Sequence, residues 1–303
     1  MVFGMDQTDP DPFADIEDED ALDPKQARTE LLDAAKRNYF PLRKEFVQRP
    51  KGVTDLRGRP VPRASKLYDL VHSRNQVALD LYLLLHALQP ILEGTPLPLA
   101  TWAHIMSVRK PVAATAVTRA IATLEKLDLV VREDDSRSPV IRLLLEDGSR
   151  DDYRKPGTAE EAGPGYFTVP HAYWTTGLAE GLTLPGKAMF LIALAETHSP
   201  GKRAFSIAVE RVPEWYGISE RTAERGYREL IVQAKVMRFK VKKIADKRHP
   251  AKRREEYWRA LDAPFSNASR ARLQKRATDA AKKANAGSTT NIVALNVDMP
   301  AAP

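Results

Sequence analysis

The sequence predicts a mainly α-helical fold with small β-hairpins (α+β), in which one arrangement of helices and hairpin occurs twice. Three observations carry that expectation. Val117, Ile121, Leu124 and Leu127 recur at the spacing that puts one apolar stripe on a helix, and Leu129–Val131 then switch to strand-like composition. Two longer apolar stretches, Gln76–Leu88 and Leu184–Thr197, exceed the length of ordinary strands and read as central helices. The same order of elements returns in the second half: moving the first copy by 106 positions sets Arg119 on Arg225, Ile121 on Tyr227, Leu124 on Leu230 and Val130 on Val236.

Taken in order, the chain opens on nine carboxylates within residues 1–24 and no Lys or Arg there. The net charge of the whole is +7, so the remainder carries +16, a balance suited to a polyanionic partner. The acidic stretch is too poor in apolar residues to offset its ordering entropy, and is read as a disordered, solubilising terminus; a competitor for the basic surface is the alternative. Arg28–Val47 reads as a helix interrupted near Pro41. Within 56–63, Arg57-Gly58-Arg59-Pro60 is a Pro/Gly connector that also resembles the core of an AT-hook, whose arginines follow a narrow minor groove. Gln76–Leu88 is expected to end at Pro90, Leu99–Met106 to form a short second helix, and Ser107–Lys110 a turn. Pro111 suits the first turn of the next helix, which ends at Asp128. Glu133–Pro139 turns the chain and Val140–Leu145 returns as a strand.

Helix, turn, helix, then a two-stranded hairpin resembles the winged helix-turn-helix domains of bacterial DNA-binding regulators. The resemblance implies that the last helix reads a major groove and that the hairpin, or wing, touches the backbone. In the first unit it points to Thr115, Thr118 and Arg119 on the reading helix and Arg137 at the wing tip. Gly, Pro and charge crowd the next twenty residues, 146–165, read as a linker or an extended wing loop, which at roughly 3.5 Å per residue reaches ~60 Å.

The second unit repeats the order. Tyr166–Val169 is a short strand, Ile207–Tyr216 a second helix, Gly217–Ser219 a turn, and Ser219–Ala234 the reading helix with Ser219 as N-cap. Ala223, Tyr227, Leu230 and Ile231 are expected inward, leaving Arg221, Glu224, Arg225 and Arg228 outward. Val236–Ile244 alternates apolar and basic residues, as a strand with one buried face should. The return strand is Glu256–Leu261. Residues 235–259 hold eleven Lys and Arg against three acids, and Lys242, Lys243, Lys247, Arg248, Lys252, Arg253 and Arg254 are the expected phosphate contacts, giving steep salt dependence. Past Pro264 a basic, Ala-rich helix is expected through Lys283.

The organisation expected is an acidic tail (1–27), a helical arm and connector (28–64), a first winged-helix unit (65–147), a linker (148–164), a second unit (165–263) and a basic tail (264–303). With no cysteine, disulfides and thiolate metal sites are excluded. The six histidines lack paired ligand spacing, and His86 reads as a satisfied core residue. Gly181–Lys187 fits GxxxxGK, but Ala188 replaces the magnesium-binding hydroxyl and no strand precedes it, so nucleotide is not expected. The expectation is therefore no enzyme, no cofactor and no metal. Without a signal pattern or membrane-length apolar run, a cytoplasmic, nucleoid-associated protein is expected. Its partner is double-stranded DNA, with a homodimer compatible, and its role that of a transcriptional regulator. The stretch 166–194 followed by a helix-turn-helix also resembles the domain openings of plasmid initiators with two winged helices, making a replication initiator the alternative.

Overall fold

The computed structural model describes residues 22–48, 65–92, 95–134, 136–157, 165–245, 248–249 and 252–295, with side chains as far as 283. The acidic residues before 22, Arg57, Gly58, Arg59 and Lys247 lie outside the described residues.

Helix α1 (Pro24–Ala34) starts where the Asp23 carboxylate accepts the Lys25 and Gln26 amides, and its run ends ahead of Lys36 in the left-handed region. The expected continuation of this helix to Val47 does not form. Tyr39–Arg43 is instead a strand, β1, followed by a 3₁₀ turn over Lys44–Phe46. Proline is disfavoured in a helix interior, and a strand in a two-stranded sheet accommodates Pro41. Its partner is β4 (Tyr166–Pro170), antiparallel from Tyr39 opposite Pro170 to Arg43 opposite Tyr166.

Helices α2 (Lys66–His72), α3 (Gln76–Leu92), α4 (Leu99–Met106) and α5 (Ala114–Lys126) follow, then the hairpin β2 (Val130–Arg132) and β3 (Ile141–Leu143). Pro90 lies inside α3 rather than at its end, so the helix continues past it to Leu92. Pro111 precedes α5, whose cap is Ala113; Val112 is tied instead by its amide to the Ser107 hydroxyl. Val117, Ile121 and Leu124 are buried as their spacing requires.

After β4 come the short helices α6 (Ala172–Thr175) and α7 (Leu178–Gly181), and the buried α8 (Leu184–Glu196). Then follow β5 (Phe205–Ser206), α9 (Val212–Tyr216) and α10 (Glu220–Arg228), which continues as a π-helical turn over Glu229–Gln233. Of the helix expected over Ile207–Tyr216, only the second half is α-helical. Strand β6 (Met237–Ala245) and β7 (Arg253–Leu261) make a long hairpin, and β5 adds on the far side of β7 to give the order β5-β7-β6. Helix α11 (Asn267–Leu295) is the last element, anchored by Arg270 donating to the carbonyls of Phe265, Leu194 and Thr197.

The architecture is mixed α+β, helices around three small antiparallel sheets among the described residues. Buried apolar residues from Leu32 to Phe265 form one contiguous cluster that includes both halves. The start of the expected linker is packed: Glu146 is fully buried against Arg43 at 2.6 Å, and Leu144 bridges Asp152. No described helix is long and apolar enough to cross a membrane.

Candidate nucleic-acid interface

Helix α10, expected from the sequence to be the second reading helix, is positioned by close packing. At Gly226 of α10 and Gly186 of α8 an added Cβ would collide with Pro185 oxygen and with Glu229 Oε2 respectively, so the absence of side chains lets the two helices approach. Glu229, buried at the end of α10, turns its carboxylate onto the start of α8, where it accepts the Thr183 amide at 2.9 Å and the Thr183 hydroxyl at 2.5 Å. A negative group at a helix N-terminus is favoured by the unpaired amides there. The GxxxxGK segment is thereby engaged in structure: Glu229 fills the start of α8, and the Lys187 ammonium contacts both oxygens of Asp80 at 2.5 and 2.6 Å.

This packing sends the polar side of α10 outward. Arg221, Glu224, Arg225 and Arg228 are all exposed, while Ala223, Tyr227 and Leu230 are buried. Arg225 Nε lies 3.3 Å from Glu229, so the residue that caps α8 also steers one outward arginine. Ser219 caps α10 by accepting the Thr222 amide.

On the adjacent hairpin, Lys240, Lys242 and Lys252 are exposed without an ion-pair partner among the described residues, and Arg248 and Arg253 are also exposed. Lys243 stands 3.9 Å from Glu255, and Arg254 donates to Glu256 at 2.8 Å. Lys240 and Arg238, not among the expected phosphate contacts, share one face with Lys242 through the strand alternation; Arg238 is engaged with Asp262 at 2.6 Å. The apolar alternates of this strand are expected on a buried face. That holds only at Met237; Phe239 and Val241 are 45 % and 37 % exposed, because the hairpin projects beyond the body that would cover them.

Arg259 ties hairpin to helix. Its guanidinium lies 3.8 Å from the centre of the Tyr227 ring and 5.7 Å from that of Phe239, and donates to the Ile207 carbonyl. Burial pushes the Tyr227 phenol up to about 12, which keeps it neutral under the cation.

The first unit presents a weaker version. Thr115 and Arg119 are exposed and Thr118 half-buried on α5. The Thr118 hydroxyl donates to Ala114 oxygen, and Arg119 Nε to Thr115 oxygen at 3.3 Å, so both lie along the helix. Arg137 is exposed at the hairpin tip, where its carbonyl accepts the Leu99 amide. This hairpin has three residues per strand, and its Arg142 is held by Glu133 and Asp152 at 2.6 and 2.9 Å. Arg109 and Lys110, exposed in the turn before α5, are further cations that the sequence reading omitted. Among the described residues no acid and histidine cluster suits a metal ion.

Comparison with protein-family models, with curated proteins and with solved structures finds no match.

Proposed function

We propose that the chain is a sequence-specific double-stranded DNA-binding protein with two winged helix-turn-helix units in tandem, acting as a transcriptional regulator. The observation that carries this reading is the outward row Arg221, Arg225 and Arg228 on a helix whose opposite side is buried, flanked by a hairpin with unpaired lysines. Arginine on such a helix suits guanine edges, Glu224 suits the cytosine amino group, and the lysines suit phosphates, which position without specifying. The two reading helices differ in chemistry, Thr115, Thr118 and Arg119 against a row of arginines, so one copy of the chain prefers an asymmetric site. A cytoplasmic, nucleoid-associated location follows from that role.

A second reading, a plasmid or phage-type replication initiator binding origin repeats, draws on the order β4, α6, α7, α8 over the stretch that resembles initiator domain openings. The same experiment separates the two. Bound fragments are selected from genomic DNA with the purified chain at physiological salt. One enriched motif near promoters is expected, and Arg221→Ala with Arg225→Ala should cost about tenfold or more at the guanines they read, each good contact being worth about 1–3 kcal/mol. Clusters of direct repeats in place of single sites favour initiation. The absence of any salt-sensitive duplex affinity overturns both.

A further inference from the structure

The face of the second hairpin turned towards α10 has a feature that duplex binding leaves unused. Cross-strand partners place Phe239 with Arg259, Val241 with Tyr257 and Lys243 with Glu255 on that face. Among the five large apolar side chains exposed on the described surface, Phe239, Val241 and Tyr257 are the three that gather in one place. The two rings lie nearly parallel, 14° apart with centroids at 5.9 Å. Phe239 is steadied from beneath by the Arg259 guanidinium, itself fixed by Tyr227 and the Ile207 carbonyl.

We propose that this aromatic face binds unpaired nucleobases, so that the chain holds single-stranded DNA as well as duplex. Exposed rings in contact with water call for an apolar partner, and the local excess of Lys and Arg calls for an anion; a nucleic acid strand supplies both. A second copy of the chain would bring the same positive charge and be repelled. A duplex keeps its base faces inside the stack and offers phosphates and base edges, which suit Lys242 and Lys252 but not a phenyl ring. Base faces become available when the strand is unpaired. Among the described residues Glu255 is the one acid that the two strands place on this face, and exposed Glu210, before α9, also acts on the Tyr257 phenol. Tyr257 donates to Glu255 at 3.1 Å and Lys243 stands beside it, so its charge is offset locally while Arg253 and Arg259 remain as cations.

This inference rests on reading the hairpin as a nucleic-acid contact, and the test keeps the two apart. The full chain is titrated against labelled oligothymidylate of about fifteen nucleotides, close to the span of one single-strand site, the same oligonucleotide bearing 2-aminopurine, a duplex, and phosphatidylserine vesicles. Binding of the single strand with quenching of 2-aminopurine is expected. Phe239→Ala with Tyr257→Ala should weaken single-strand binding by about tenfold to a hundredfold, given the usual worth of base stacking on aromatic residues, and leave duplex affinity within about twofold. Phe239→Leu with Tyr257→Leu, which keeps the apolar bulk, should lose the quenching too. Single-strand affinity that ignores both pairs of substitutions, or ring-dependent binding confined to the vesicles, overturns this inference while the duplex reading stands. Ring-dependent single-strand binding without duplex affinity overturns the duplex reading and leaves the stacking site in place.

Discussion

Glu229 shows how one side chain joins scaffold to surface: its carboxylate caps α8 through the Thr183 amide and hydroxyl, and the oxygen that accepts the hydroxyl also holds Arg225. Gly226, inside the crossing of α8 and α10, and Gly181, which ends α7 outside it, are opposites. Replacing Gly by Ala ordinarily stabilises a helix by about 1 kcal/mol through propensity and unfolded-chain entropy. At Gly226 the added methyl would meet Pro185 oxygen, which is backbone, and the Met189 side chain. Gly226→Ala is therefore expected to lower stability by about 1–3 kcal/mol, as overpacking does, in urea unfolding followed by circular dichroism. Gly181 has open space about its Cα, so Gly181→Ala should be neutral or raise stability by about 0.4–1 kcal/mol. Equal effects at the two positions would mean that the crossing of α8 and α10 does not hold α10 in place.

At the scale of elements, the β6–β7 hairpin should set how strongly binding depends on salt, and α10 what is read. Each phosphate left without its lysine should reduce the slope of log affinity against log salt by about 0.9. Lys240→Gln, Lys242→Gln and Lys252→Gln together are expected to lower it by about 2–3 without changing sequence preference, measured by fluorescence anisotropy over a salt series. An unchanged slope would place the phosphates elsewhere. Much of this arrangement was legible from residues alone, because local periodicity governs it. Val117, Ile121 and Leu124 face inward as spaced, Ser219 caps α10, and the four outward residues of that helix are exposed. What was hidden depends on distant partners. Tyr39–Arg43 becomes a strand because its ladder is supplied by β4, which begins 127 positions beyond Tyr39, at Tyr166. Phe239 and Val241 have the alternation of a half-buried strand, yet remain exposed because nothing in the local pattern tells how far the body of the protein extends beneath them.

Across the whole molecule, buried polar groups tie distant elements together, and the buried histidines among them make stability depend on pH. Arg43 of β1 pairs with buried Glu146, Arg28 of α1 with Glu180, and Lys187 of α8 with Asp80 of α3. Beside these pairs, His86 of α3 lies among Phe40, Tyr82 and Tyr153, with neither ring nitrogen hydrogen-bonded among the described residues, which do not make it the satisfied core histidine that its setting suggests. Burial, then the charge of Arg43, lowers its pKa to about 3; burial with nearby cations also lowers His171 and His198 to about 4. A histidine lowered in the folded state is neutral in both states above its ordinary value of about 6.5. Between there and the folded value the unfolded chain takes up a proton that the native site refuses, so stability falls as pH falls through that window. For His86 alone the loss from about pH 7 to about pH 5 amounts to about 2 kcal/mol. His86→Leu, close in volume and unable to titrate, should unfold in urea with that much less difference between the two pH values, and comparison with the unaltered chain cancels the carboxylates common to both. Parallel pH dependences in the two proteins would mean that the cage of aromatic rings around His86 opens to admit the proton.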